Sequence, residues 1–197
     1  MEKSKGMVVA IGGPPHSGKS VFLAELYRQL LARRPSGFAF LQRACPDGEG
    51  MWSAESDPAL VQKIRRKGKF DDEFMNFLLP SISGLGQVFR LVLLDLGGLR
   101  TAENAEILAR ATHLITLTRV DKLEEEDQWV EFARDEGCEP LVLLSSRLGE
   151  GRSTVDCSTT PARGEMVGLD RDGPTAPYTQ AISQLADWLI AIVEDAR

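Results

Sequence analysis

Apolar and polar positions along this chain fall into blocks whose period changes. Met7–Gly12 is a compact apolar run closed by glycine. Lys19–Arg34 follows with Phe22, Leu26 and Leu30 four apart, which puts them on one helical face until Pro35 stops it. Gly37–Arg43 reads as a second strand, and Ala44–Ser56 loses its period in a stretch rich in Pro, Gly and acid, which predicts a loop. Asp57-Pro58 opens a helix to about Gly68, with a capping carboxylate and a proline at the first helical position. A further helix is predicted from Asp71 to near Ser81, with Phe74, Phe77 and Leu78 as its stripe. Val88–Leu96 is nearly continuous in apolar residues, the pattern of a parallel strand covered on both faces.

The second half continues the alternation. Thr101 caps a helix to Arg110, His113–Thr118 is a fourth strand, and Leu141–Ser145 is a fifth. Between those two strands, Glu124–Glu136 starts with acid and is followed by Gly137, as the helix dipole and capping rules favour. Ser146–Pro174 is polar, with two short alternating stretches, Ser153–Ser158 and Glu165–Asp170, read as a small β-hairpin excursion. Thr175–Asp195 is an amphipathic helix carrying Tyr178, Ile182, Leu185, Leu189 and Ile192 on one face. Five strands separated by helices predict an α/β fold with a mainly parallel sheet and right-handed crossovers.

Composition narrows the class. With 197 residues and 43% hydrophobic content, the chain suits a single domain spanning 1–197 with a buried core. A net charge of −6 argues against nonspecific nucleic-acid binding. The longest apolar runs fall far short of the ~18 residues that cross a bilayer, and Met7–Ile11 is too short for a secretion signal core. The cysteines Cys45, Cys138 and Cys157 are an odd, widely spaced set without metal-ligand spacing. These features predict a reduced, cytoplasmic protein with no membrane partner.

Between the first strand and the first helix lies Gly13-Pro14-Pro15-His16-Ser17-Gly18-Lys19-Ser20, which satisfies the phosphate-loop pattern G-x-x-x-x-G-K-[ST] in the required context. Glycines let the backbone curl until successive N–H groups point at one centre, and the helix N-terminus adds its positive end. Pro14 and Pro15 have no N–H, so the cradle falls to the later amides. The cofactor-binding set is therefore Gly13, His16, Ser17, Gly18, Lys19, Ser20 and Val21, with Lys19 on the β- and γ-phosphates and the Ser20 hydroxyl on Mg²⁺. His16 is read either as a loop residue near the nucleotide or as a contact to an acceptor.

The run Arg90–Asp95 places an aspartate at a strand end, where phosphate-loop proteins keep the acid that holds Mg²⁺ through its waters; Ser20 and Asp95 form the expected metal set. Asp95-Leu96-Gly97-Gly98 also fits the D-x-x-G pattern of GTPase switches. Thr118-Arg119-Val120-Asp121 lies where the guanine-reading [NT]-K-x-D would lie, and Leu144-Ser145-Ser146 where the serine loop after the fifth strand would lie. Arg119 replaces the lysine whose stem packs on the base, and a strand-end loop in which Asp121 caps the next helix explains the stretch equally well. Against a GTPase stands the long stretch Ala44–Gly86, within a helical insert spanning 43–86, where nucleoside and nucleotide kinases place acceptor-binding helices. Arg43, Asp47 and Glu49 follow the second strand at the edge where such sheets bind ligands; Asp47 or Glu49 is the candidate for orienting a nucleophile. Arg65, Arg66, Lys67 and Lys69 form a basic cluster suited to phosphates or to simple solvation.

At Gly12–Ser20, Arg43–Gly50, Trp52-Ser53, Thr112-His113 and Gly168-Leu169-Asp170-Arg171 the sequence resembles the P-loop NTPase domain, labelled AAA, that is found fused to type III CRISPR ring nucleases of the third type. The likeness spans about residues 7 to 175. It implies an ATP- and Mg²⁺-dependent module working beside the degradation of cyclic oligoadenylate messengers. The partners it implies are a ring-nuclease domain or another type III CRISPR accessory protein, with a homo-oligomer left open. The ring-nuclease domain itself is not expected within this chain, which reads as a stand-alone relative or an excised domain. No arginine finger or helical lid of ring-forming AAA machines is evident, so a kinase-like architecture fits the residues better.

The expected fold is thus a three-layer α/β/α P-loop NTPase with a mainly parallel five-stranded sheet of order 2-3-1-4-5. A hairpin excursion spans 146–174 and a C-terminal helix 175–197. The expected function is Mg²⁺-dependent ATP binding with phosphoryl transfer to water or to a small acceptor, with Lys19, Asp95, Asp47 and Glu49 as the catalytic set. The alternatives are a GTPase-like protein and a non-catalytic, nucleotide-binding regulatory module.

Overall fold

A computed structural model of the chain describes residues 6–34, 37–46 and 70–195. The apolar run Met7–Gly12 becomes β1 and lies at the centre of the sheet, flanked by β3 (Leu91–Asp95) and β4 (His113–Arg119), both parallel to it. Beyond β3 lies β2 (Ala39–Arg43), and beyond β4 lies β5 (Glu139–Arg147), again all parallel. The expected order 2-3-1-4-5 is present. The sheet then continues through β7 (Ala162–Val167), parallel to β5, to β6 (Thr154–Asp156), antiparallel to β7. The hairpin is therefore part of the sheet, which has seven strands among the described residues. Its inward positions Ala162, Met166 and Val167 are fully buried, which is the stabilisation that draws it in.

Side chains alternate between two apolar layers. Val9, Ile11, Leu93, Ile115 and Leu117 pack beneath α1 (Lys19–Arg33) and the C-terminal helix Ala176–Asp195. Val8, Ala10, Val92, Leu94 and Leu114 face the other layer of helices. These are α2 (Asp72–Val88), α3 (Ala102–Leu108) and α4 (Glu124–Asp135); the C-terminal helix is α5. This is a three-layer α/β/α fold.

Several boundaries moved: the second hairpin strand, expected over Glu165–Asp170, is Ala162–Val167, and β5 runs past Leu141–Ser145 at both ends. The second strand starts at Ala39 rather than Gly37. α2 runs through Pro80 to Val88, because Met75, Leu78, Ile82 and Gly86 keep one buried stripe across the proline, while Pro80 itself faces solvent. Val88, expected to open the third strand, is 73% exposed at the helix end, and the strand begins at Leu91. The predicted helix from Asp57 to Gly68 lies outside the described residues.

Candidate functional site

The site grows from the carboxyl ends of β1, β3, β4, β5 and β7. At the end of β1 the backbone turns so close to β4 that a Cβ on Gly13 would stand 2.1 Å from the Leu117 carbonyl oxygen, and its φ of +131° is one that only glycine adopts freely. Gly18, at φ +86°, ends the loop as the N-cap of α1, and a Cβ there would meet Leu169 at 2.7 Å. No side chain caps α1, whose N-cap is Gly18, the arrangement that helix N-termini binding anions share. His16 holds φ +62° without being glycine, a conformation that concentrates at ligand sites. From β5, the Ser146 hydroxyl donates to the Ser17 carbonyl at 2.9 Å and pins the loop to the sheet.

Two charges meet beneath this loop. Lys19 Nζ donates to the carbonyls of Gly13 at 2.8 Å and Pro14 at 2.7 Å. Burial pushes its pKa down to about 8, against the pull of Asp95, Cys45 and Glu125. Asp95 pairs in register with Ile11 of β1 and Arg43 of β2 and is only 6% exposed. Burial raises its carboxyl to about 6, opposed by Arg43 first and Lys19 second. Arg43 is aimed by its own chain, its Nε donating to the Cys45 carbonyl at 3.0 Å.

Around them opens a cavity of about 960 Å³. Its phosphate end is formed by Pro15–Val21 with Cys45 and Asp95–Gly98, and its far end by Arg119–Asp121, Ser146–Leu148 and Leu169–Arg171. The far end is built from ion pairs. Arg119 forks onto Asp121, Nε to Oδ1 at 2.8 Å and the terminal nitrogen to Oδ2 at 2.6 Å. Arg147 bonds Glu165 at 2.9 Å and the Glu150 carbonyl at 2.9 Å.

The structure brings His16, Ser17, Gly18, Lys19, Ser20, Val21 and Asp95 together on one cavity, with Gly13 shaping its loop. Asp121 does not cap the following helix: it pairs with Arg119, and the short 3-10 turn Val120–Lys122 has no side-chain cap. Asp47, Glu49, Arg65, Arg66, Lys67 and Lys69 lie outside the described residues. Sequence reasoning did not place Cys45, Arg147, Leu148 or Leu169–Arg171 in the site. The Gly168–Arg171 segment stood out as a motif, but only the pairing of β7 with β5 carries it to the phosphate loop.

The residues fit a polyphosphate and Mg²⁺. Ser17 is 2% exposed and its Oγ has no hydrogen-bond partner, although the residue lines the cavity. Among the described residues no three or more His, Cys, Asp or Glu cluster as a metal site, and an ion held by one carboxylate, one hydroxyl and phosphate oxygens needs no such cluster. No described helix is long and apolar enough to cross a membrane.

No protein-family model matches the chain, and no curated protein does. Among solved structures, the chain is similar to cobyrinic acid a,c-diamide synthase from Mycobacterium smegmatis, crystallised with a bound ATP analogue and magnesium. The two superpose with a TM-score of 0.66 at 12% identity, over 98% of this chain and 97% of that one. At that identity the likeness is one of fold, and it covers the whole α/β/α architecture described above.

Proposed function

We propose that this chain is a Mg²⁺-dependent ATP-binding protein that transfers the γ-phosphoryl group to water or to a small acceptor. The observation that carries the reading is the placement of a partly buried lysine and a buried aspartate under a phosphate loop that opens a helix. The ATP analogue and magnesium in the structural neighbour support it. In this reading the Lys19 ammonium leaves the Gly13 and Pro14 carbonyls for phosphate oxygens, and the amides from His16 to Val21 complete the cradle. Ser20 and Asp95 hold Mg²⁺, which when bound offsets phosphate charge. Catalysis then rests on positioning and charge neutralisation, with Asp47 or Glu49 orienting the nucleophile. The wider setting proposed is type III CRISPR cyclic-oligoadenylate signalling, with a ring nuclease or an accessory protein as partner, and it rests on the sequence resemblance alone.

Titration with ATP and Mg²⁺, read by thermal shift, tests the binding; phosphate release with and without acceptors separates hydrolase, kinase and silent binder. Equal ATP affinity in the wild-type chain and Lys19→Ala overturns the phosphate assignment. Copurification with cyclic-oligoadenylate-degrading partners tests the wider setting.

A further inference from the structure

The phosphate end of the cavity is anchored by Lys19 and by Asp95 on β3, so a bound nucleoside extends the other way, over β4, β5 and β7. That direction leads to Asp121. A carboxylate there suits guanine, whose Watson–Crick edge offers two neighbouring donors, N1–H and N2–H₂, to two oxygens; adenine lacks that fork. In this chain Arg119 already presents such a fork. Its Nε–H and terminal NH₂ meet Oδ1 and Oδ2 of Asp121 at 2.8 and 2.6 Å, side by side and from two residues away.

We propose that Arg119 is the base-selectivity residue of this pocket: it imitates the guanine edge, fills both acceptors of Asp121, and so leaves the site without a preference for GTP over ATP. The inference rests on the nucleotide reading above and deepens it. An exposed ion pair adds little to folding stability, and both partners here are about half exposed, with side-chain exposures of 43% and 55%. The contest that matters is different. To be read, guanine must displace a charged two-pronged donor with a neutral one, and charge-assisted bonds are the stronger of the two. Lys122 also acts on Asp121 through its charge, but its ammonium is hydrogen-bonded to Glu125 at 3.1 Å and makes no fork onto the Asp121 carboxylate. Asp121 is thereby a positioning residue for the guanidinium of Arg119, a cavity-lining residue of a type that can stack on a purine.

The test is competitive titration of the full chain with ATP and GTP in Mg²⁺, for wild type, Arg119→Ala, Arg119→Lys, Asp121→Ala and the Arg119→Ala/Asp121→Ala pair. Wild type is expected to bind ATP at least as tightly as GTP. Freeing Asp121 in Arg119→Ala is expected to raise GTP affinity relative to ATP by up to about fivefold, since the gain cannot exceed the worth of the half-exposed pair that guanine would otherwise have to break. Arg119→Lys, with one compact ammonium, falls between, and both variants lacking Asp121 keep the wild-type ratio. A wild-type preference for GTP of about tenfold that vanishes in Asp121→Ala overturns the inference, because Asp121 is then reading guanine. An unmoved ratio in a folded Arg119→Ala overturns it as well. These failures differ from failure of the nucleotide reading, in which neither triphosphate binds the wild-type chain and the inference falls with it.

Discussion

The two ends of the cavity treat charge in opposite ways. At the phosphate end, Asp95 is taken out of water and Lys19 partly so, and desolvation drives the lysine down to about 8 and the aspartate up to about 6. At the far end, Arg119–Asp121 and Arg147–Glu165 stand in solvent as short, satisfied pairs. The first arrangement works against folding, the cost that the proposed phosphate ligand would offset; the second is close to neutral for folding. Burial, more than the number of charges, distinguishes the end proposed for phosphate chemistry from the end proposed for base selection.

The largest break in this contrast comes from Lys19→Ala. It removes a charge-assisted contact that only the ligand fully uses, and should weaken ATP binding roughly 100-fold in calorimetry. Next is the pH dependence of stability without ligand. Asp95 binds its proton more tightly folded than unfolded, so its contribution is fully present below about pH 4 and is lost as pH rises through about 6. The difference in unfolding free energy between Asp95→Asn and wild type should therefore grow across that window by about 3 kcal/mol in favour of the variant, measured by denaturant titration. Lys19 has the reverse sense: its folded pKa is lowered, so its contribution is present above about 10.5 and is lost as pH falls through about 8. Gly18→Ala should cost about 2 kcal/mol in thermal unfolding and weaken ATP binding, since the new methyl meets Leu169 on a left-handed backbone. Arg147→Ala at the selection end should change stability by less than about 1 kcal/mol, and a larger loss would erase the contrast.

How much of this was legible in the sequence follows from range. β1, α1 and the Asp95 strand announce themselves through local periodicity, and the phosphate loop through spacing set by backbone geometry, so Lys19, Ser20 and Asp95 could be placed in advance. The path of α2 through Pro80 could not, because the stripe that offsets the proline continues only against the sheet. Nor could the continuation of the sheet through β7, since its pairing with β5 joins residues whose own alternation is short. Leu169 reaches Gly18 by that route alone. The Arg119–Asp121 fork was hidden for another reason: the same two residues also spell a guanine reader and a helix cap, and side-chain geometry sets aside only the cap.

The grip of Lys19 on the Gly13 and Pro14 carbonyls has a kinetic corollary. The ammonium acts as a strut inside the bend, so the loop has its shape before any anion arrives. In the proposed reading, capture at this loop then reduces to one side chain trading oxygens, a swing on the nanosecond scale. Arrival of a triphosphate should accordingly be paced by diffusion and field, and its departure by the return of that single amine to its resting partners.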